Sequence, residues 1–280
     1  MTVKVIAILG AGNMGRCLVG GLIKNHYSPT HLWVANPSSQ KLNFLREQYG
    51  VHTTLDNQEA IDSAEIIIFA VKPIVIPNII HDLKKIIQIK KPLIVSVAAG
   101  MTIAHIQQAL ECDIAIVRCM PNIPALIGCG TTALFANEIA EEKDRNAVES
   151  IFRTIGSTVW LENEALMNPV TALSGCGPAY FFLLIDILQS VGEQLGLPAD
   201  VARLLTLQTA YGAARMALES DKEAATLVQE VASPGGSTEA ALRILKDYNL
   251  HEIFNIALTA ATQKAVAREQ QLGALGELKK

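Results

Sequence analysis

The chain has no Cys-x-x-Cys pair, no histidine at metal-ligand spacing with a cysteine or another histidine, no Lys/Arg cluster interleaved with aromatics, and few aromatic residues. Each absence removes a class of function. The five cysteines (Cys17, Cys112, Cys119, Cys129, Cys176) are scattered and odd in number, so they read as reduced, mostly buried thiols rather than a disulfide framework. Six dispersed histidines imply no metal. A formal charge of −4, with no basic stretch interleaved with aromatics, argues against nucleic acid as a partner. The most apolar helical stretch, Ala179 to Leu188, contains Asp186 and is too short to span a bilayer. The N-terminal apolar run closes on glycine before it reaches the length of a secretory signal. A cytoplasmic location with no membrane partner is the expectation.

Apolar residues make up half of the 280, enough for two domains with separate cores. The first informative stretch is Val3 to Gly15, an apolar run ending in Gly10-Ala11-Gly12-Asn13-Met14-Gly15. This glycine spacing lets a strand turn into a helix, lets backbone approach a pyrophosphate and lets the helix pack on its strand. Phosphates then sit on the helix N-terminus. Glycines also mark ordinary turns, but the flanks are those of a strand and of a helix carrying Leu18, Val19, Leu22 and Ile23.

The segment after the second strand, Leu32-Trp33-Val34, bears on which dinucleotide is bound. An NAD site usually offers a carboxylate there to the ribose 2′-OH. Here the strand runs into Ala35-Asn36-Pro37-Ser38-Ser39, and no acid appears before Glu47. Asn36, Ser38 and Ser39, with Lys41 or Arg46 as charge partners, suit a 2′-phosphate, so NADPH is favoured over NADH. The same residues also suit a turn capping the next helix.

Continuous apolar runs at Glu65 to Val71, Leu93 to Val97 and Ile114 to Val117 predict parallel strands covered on both faces. Alternation with helical segments predicts an α/β, doubly wound, Rossmann-type sheet over residues 1–162. Thr132 to Phe135 and Thr158 to Leu161 add two short strands. Ligands bind such sheets at the carboxyl edge, here the loops at 70–73, 98–100 and 118–122. From 163 to 280 the pattern predicts an all-α domain. One helix covers about Asn249 to Gln271, with Leu250, Ile253, Phe254, Ala257, Leu258, Ala261 and Ala265 in a stripe. Another, Pro178 to Leu195, is apolar nearly all round over Ala179 to Leu188, which fits burial against a second subunit or the centre of a large monomeric domain.

Ser233-Pro234-Gly235-Gly236-Ser237-Thr238 precedes a further helical pattern. Its free N–H groups suit a substrate carboxylate, with the Thr238 hydroxyl beside it, although a plain capped turn has the same composition. The small residues of Ser174 to Pro178 permit close packing at the nicotinamide side. Between Ala172 and Ala202 there is no Lys, His or Arg to exchange a proton with a ketone or alcohol. An imine asks for less, because its nitrogen arrives already protonated and needs only orientation.

Six segments together, GAGNMG (Gly10 to Gly15), AVKP (Ala70 to Pro73), SVAAGMT (Ser96 to Thr102), RCMPNIP (Arg118 to Pro124), TALSGCGPAY (Thr171 to Tyr180) and SPGGSTEAAL (Ser233 to Leu242), mark the whole chain as one that resembles the pyrroline-5-carboxylate reductase family. The resemblance implies reduction of the cyclic imino acid 1-pyrroline-5-carboxylate to L-proline with NADPH or NADH, and a homodimer through the helical domain, often within a larger ring such as a decamer. It implies cofactor contacts at Gly10, Ala11, Gly12, Asn13, Met14, Gly15, Asn36, Ser38 and Asn57. The nicotinamide half would be lined by Val71, Lys72, Pro73, Ala98 and Ala99. Substrate contacts would come from Ser233, Gly235, Gly236 and Ser237, with Thr238 bonding the ring nitrogen as the catalytic group and Glu164 nearby. Cys176 stands where Ser is common and Glu230 where some members have Asn. Two rival functions remain at this level: a reductase of another cyclic imine or a hydroxy acid, and a non-catalytic NADP-binding regulator.

Overall fold

The computed structural model describes residues 4–277, and its chain forms two compact units, one through Cys176 together with residues from Ala261 on, the other Gly177–Ala260. The first contains β1 (Ile6–Leu9), α1 (Asn13–Lys24), β2 (Leu32–Ala35), α2 (Ser39–Tyr49), β3 (His52–Thr54), α3 (Asn57–Ile61), β4 (Ile66–Phe69) and α4 (Ile76–Lys90). It continues with β5 (Leu93–Ser96), α5 (Ile103–Leu110), β6 (Ile116–Met120), β7 (Gly130–Ala136), α6 (Glu142–Arg153), β8 (Gly156–Trp160) and α7 (Met167–Val170). The order in the eight-stranded sheet is β3-β2-β1-β4-β5-β6-β7-β8.

Burial on both faces explains the continuous apolar runs. Ile6, Ile8, Ile66 and Ile68 enter one core with Leu18, Val19 and Leu22 of α1 and Phe152 of α6. Their neighbours Ala7, Leu9, Ile67 and Phe69 enter the other, with Ile80 and Leu83 of α4 and Ile106 of α5. Six strands are parallel, as doubly winding predicts. β7 pairs antiparallel with β6, and β8 follows β7. Only a short 3₁₀ segment, Ile123–Ile127, lies between β6 and β7, too little for the crossover that a parallel strand needs. β3 has no counterpart among the expected strands, because three residues at a sheet edge carry little periodic signal.

By compactness the chain divides at Cys176 and again at Ala260. The last helix, α12 (Leu250–Glu277), accordingly begins in one unit and ends in the other. A π-helical turn, Thr171–Gly175, precedes α8 (Gly177–Gln194), with Cys176 N–H donating to Thr171 O at 2.8 Å. The helical path therefore starts well before Ala179. Glu164–Gln194 spans 31 residues with mean hydropathy 1.5 in its best window, long and apolar enough by composition to cross a bilayer. That corrects the length expected from Ala179 to Leu188 alone.

The second unit adds α9 (Ala199–Glu219), α10 (Ala224–Val231) and α11 (Ser237–Asp247). α8 and α9 approach through small residues, where a Cβ on Gly192 would lie 3.4 Å from that of Ala202. Among its described residues only Gly177 and Ala202 are buried. Phe181 and Phe182 remain 67% and 62% exposed in the single chain. The cysteines are all free, but only Cys17 and Cys119 are buried, with Cys129 exposed, so "mostly buried" holds for two of the five.

Close packing of α1 on β1 depends on Gly15, where a Cβ would lie 2.0 Å from Gly10 O. Gly15→Ala should reduce stability by about 3 kcal/mol, the upper end for overpacking, as measured by urea unfolding.

Candidate active site

Register builds the site's floor. Leu9 pairs with Ala35 and Phe69, and Phe69 with Ser96, so four strands end in one row; Ser96 pairs with Arg118, from which β6 runs on to Met120. Ala35 also pairs with Thr54. The loops leaving these strands, bearing Gly10, Asn36, Asn57, Val71 and Ala98, therefore emerge at the same edge. Chain direction reverses its winding between β1 and β4, the crevice where open sheets bind ligands.

The three glycines divide their labour. Gly10 has φ +116°, and a Cβ there would meet Ala70 O at 2.5 Å. Gly15 lets helix and strand touch. Around Gly12 nothing lies within 4 Å of a built Cβ, so open space adjoins the N-terminus of α1. Gly12 caps that helix without a side-chain bond, and its first turn holds no acid, which leaves Asn13, Met14 and Gly15 at a positive, uncapped end. This cradle fits a pyrophosphate.

Asn36 reaches into the same loop. Its Oδ1 accepts the Ala11 N–H at 3.1 Å, and its own N–H donates to Thr54 O at 3.2 Å. The side chain thus ties the glycine loop to the tip of β2 and turns its amide group to the edge. Ser38 is the N-cap of α2 but makes no side-chain capping bond, so the capping reading of its hydroxyl does not hold. Asn57 opens α3 behind Asp56, whose carboxylate accepts the Gln58 N–H at 2.8 Å. Val71 is half-buried, Lys72 exposed, and Pro73 buried at the start of a 3₁₀ turn. Ala98 is buried, its N–H on Ser96 Oγ at 3.3 Å, and Ala99 half-buried.

Arg118 was not among the residues expected to have a role. It is 3% exposed within a strand of apolar neighbours. Its Nη1 donates to Glu164 Oε1 at 2.9 Å and lies 3.5 Å from Glu269 Oε2, which also accepts from Asn168 Nδ2 at 3.3 Å. The same Glu164 oxygen accepts the Ile103 N–H at 2.9 Å, at the start of α5. Burial lowers the pKa of the neighbouring His105, which Arg118 reinforces and Glu269 and Glu164 oppose. The readable signal was the arginine itself, since a cation in a buried strand demands anionic partners.

The motifs at 118–124 and 171–180 also meet. Asn122 Nδ2 donates to Ser174 O and Oγ at 3.3 and 3.2 Å, its Oδ1 accepts the Thr131 N–H at 2.9 Å, and a Cβ on Gly175 would meet Met120 Cε at 2.7 Å. The small residues before α8 are therefore packed on the end of β6.

In the second unit, Ser233 to Thr238 form a turn with Gly235 at φ +74°. Not all of its N–H groups are free, contrary to expectation. Gly236 N–H donates to Ser233 O at 3.0 Å, and Gly235 N–H to Glu239 Oε2 at 2.7 Å. Glu239 stands at the third helical position and reaches back past the N-cap Gly236 to the residue before it. No side chain caps α11, which leaves the first-turn N–H groups of Ser237 and Thr238 for an anion. Glu230 is paired with Lys222 at 2.5 Å.

Residues 164–268 match the family model "Pyrroline-5-carboxylate reductase dimerisation", and residues 5–100 match "NADP oxidoreductase coenzyme F420-dependent". The pyrroline-5-carboxylate reductase of Pseudomonas aeruginosa is 36% identical over 98% of this chain and 100% of its own length. That of Escherichia coli is 34% identical over 96% of this chain and 98% of its own. Among solved structures, the pyrroline-5-carboxylate reductase of Coxiella burnetii superposes with TM-score 0.92 at 44% identity, covering 95% of this chain and 99% of that one. The pyrroline carboxylate reductase of Plasmodium falciparum, solved with NADP bound, does so with TM-score 0.85 at 28% identity over 96% and 99%.

Proposed function

This chain belongs to the pyrroline-5-carboxylate reductase family, and we propose that it reduces 1-pyrroline-5-carboxylate to L-proline with NADPH. It is an NAD(P)H-dependent oxidoreductase that associates with copies of itself. The observation that carries the cofactor assignment is the cradle at Gly12, open beside an uncapped helix N-terminus, with no carboxylate at the tip of β2. Gly10 to Gly15 hold the pyrophosphate, Asn36 and Ser38 the adenosine ribose and its 2′-phosphate, and Asn57 the adenine side. Val71, Lys72, Pro73, Ala98 and Ala99 line the nicotinamide half. When bound, the nicotinamide supplies a hydride.

The substrate's carboxylate rests on the Ser233 to Ser237 turn, anchored by the first-turn N–H groups of α11. Thr238 then holds the ring nitrogen through its hydroxyl while C=N becomes C–N. The hydride goes to the imine carbon, and the nitrogen enters protonated, so no acid need deliver a proton in the step. Glu164, which the family resemblance implies as a substrate contact, is held by Arg118. The working unit is a homodimer through the helical domain in the cytoplasm, with a decamer as the larger assembly.

NADPH oxidation that depends on added 1-pyrroline-5-carboxylate tests the activity; tight NADPH binding without turnover would identify a regulator instead. Thr238→Ala should lower kcat on the order of 100-fold with NADPH affinity unchanged, whereas equal loss of both would remove the hydroxyl from the chemistry. Asn36→Asp keeps the oxygen that accepts from Ala11 and replaces the amide with negative charge. It should weaken NADPH about tenfold, ~1.4 kcal/mol, without harming NADH. Phe182→Asp should give a monomer in light scattering, with a melting temperature that is lower and independent of protein concentration.

A further inference from the structure

We propose that Arg118 and Glu269 are positioning residues for the Ala98-Ala99-Gly100 loop, so that the end of α12 sets the nicotinamide half of the cofactor site. The inference rests on the assignment of Ala98 and Ala99 to that half. Gly100 has φ +82°, and a Cβ there would meet Leu272 Cδ1 at 3.2 Å, Arg268 Cγ at 3.4 Å and Glu269 N at 3.5 Å. The loop backbone therefore lies directly on the last turns of α12. Just beyond it, the Ile103 N–H is held by Glu164 Oε1 at 2.9 Å. Arg118 joins the two supports, with one guanidinium nitrogen 2.9 Å from Glu164 and 3.5 Å from Glu269.

A second contact fixes the same helix. Gly273 lies against His105 of α5, where a Cβ would meet Nε2 at 2.7 Å, and His105 Nδ1 accepts the Thr102 N–H at 3.3 Å. The loop is thus closed between β5, α5 and α12. The buried guanidinium has anionic partners in both Glu164 and Glu269, so it holds to them rather than to water, and each pairing restrains the segment that brings it. Hydride transfer is sensitive to placement on the scale of 1 Å, so a residue that fixes the loop governs rate without touching the cofactor.

The full-length Glu269→Gln variant tests this, since it keeps the shape and the bond from Asn168 while removing the charge opposite Arg118. Steady-state rates with 1-pyrroline-5-carboxylate should show kcat/KM for NADPH down about tenfold. Affinity for 2′-phospho-ADP-ribose, which lacks nicotinamide, should be unchanged by calorimetry. Leu272→Ala, which removes the contact on Gly100, should show the same split and serves if Glu269→Gln does not fold. Parallel loss of NADPH and fragment affinity, or no change in either rate or affinity, would overturn the positioning role. Ala99→Leu separates the premise. If it leaves NADPH turnover intact, the loop does not line the nicotinamide; if it abolishes turnover while Glu269→Gln and Leu272→Ala are silent, only the role of α12 fails.

Discussion

Everything at the carboxyl edge depends on the parallel ladder that ends β1, β2, β4 and β5 at Leu9, Ala35, Phe69 and Ser96 in one row, level with Arg118 of β6. Parallel strands in register put every succeeding loop at the same height, so a ligand that touches one loop can touch all of them. The close approach of Gly15 to Gly10 then decides how the N-terminus of α1 is presented to that row. The anion affinity of a helix end falls off within a turn, so the cradle works only if the helix starts where the strand stops. Asn36 fixes that point from the neighbouring strand by accepting the Ala11 N–H.

The same row carries its one buried cation. Arg118 occupies the strand position paired with Ser96, where an apolar residue would have continued the core without desolvating a charge. Replacing a buried ion cluster by apolar packing is often neutral or stabilising, so the stability of the sheet alone does not account for it. Its partners do. Glu164 and Glu269 come from segments far along the chain, and their shared hold on Arg118 draws the 164–170 region and the end of α12 into the nucleotide-binding unit. With the seating of Gly175 on Met120 and of Gly100 on Arg268 and Leu272, that hold binds the stretch up to Cys176 and the residues from Ala261 to the same unit.

The parts of this arrangement that arise from local chemistry were readable in the sequence. Ile66 to Phe69 announce a strand covered on both faces, and Gly10, Gly12 and Gly15 announce the turn. Direction and distance were not readable. Nothing in the periodicity of Thr132 to Phe135 says that the strand runs backwards; the short link after Met120 decides it. Three-residue β3 falls below the length at which alternation is a signal. Arg118 could be flagged as needing partners, yet Glu164 and Glu269 lie too far along the chain to be chosen by spacing. Ser233 to Thr238 were recognisable as a glycine turn opening a helix, but the Glu239 carboxylate on Gly235 N–H, which reduces the donors available, depends on a back-reaching rotamer.

The Ser233 to Thr238 turn sits in the unit that has almost no interior among its described residues. Folding free energy in water comes mainly from apolar burial, and α8 to α11 leave Phe181, Phe182, Leu188 and Leu204 largely in the open in one chain. A helical unit of this kind is completed by association, so its geometry is a property of the assembly rather than of the single subunit. The uncapped end of α11 and the left-handed Gly235 are part of that unit. The geometry of the helical unit is therefore linked to subunit association by mass action, whereas the nucleotide-binding unit is backed by two cores of its own.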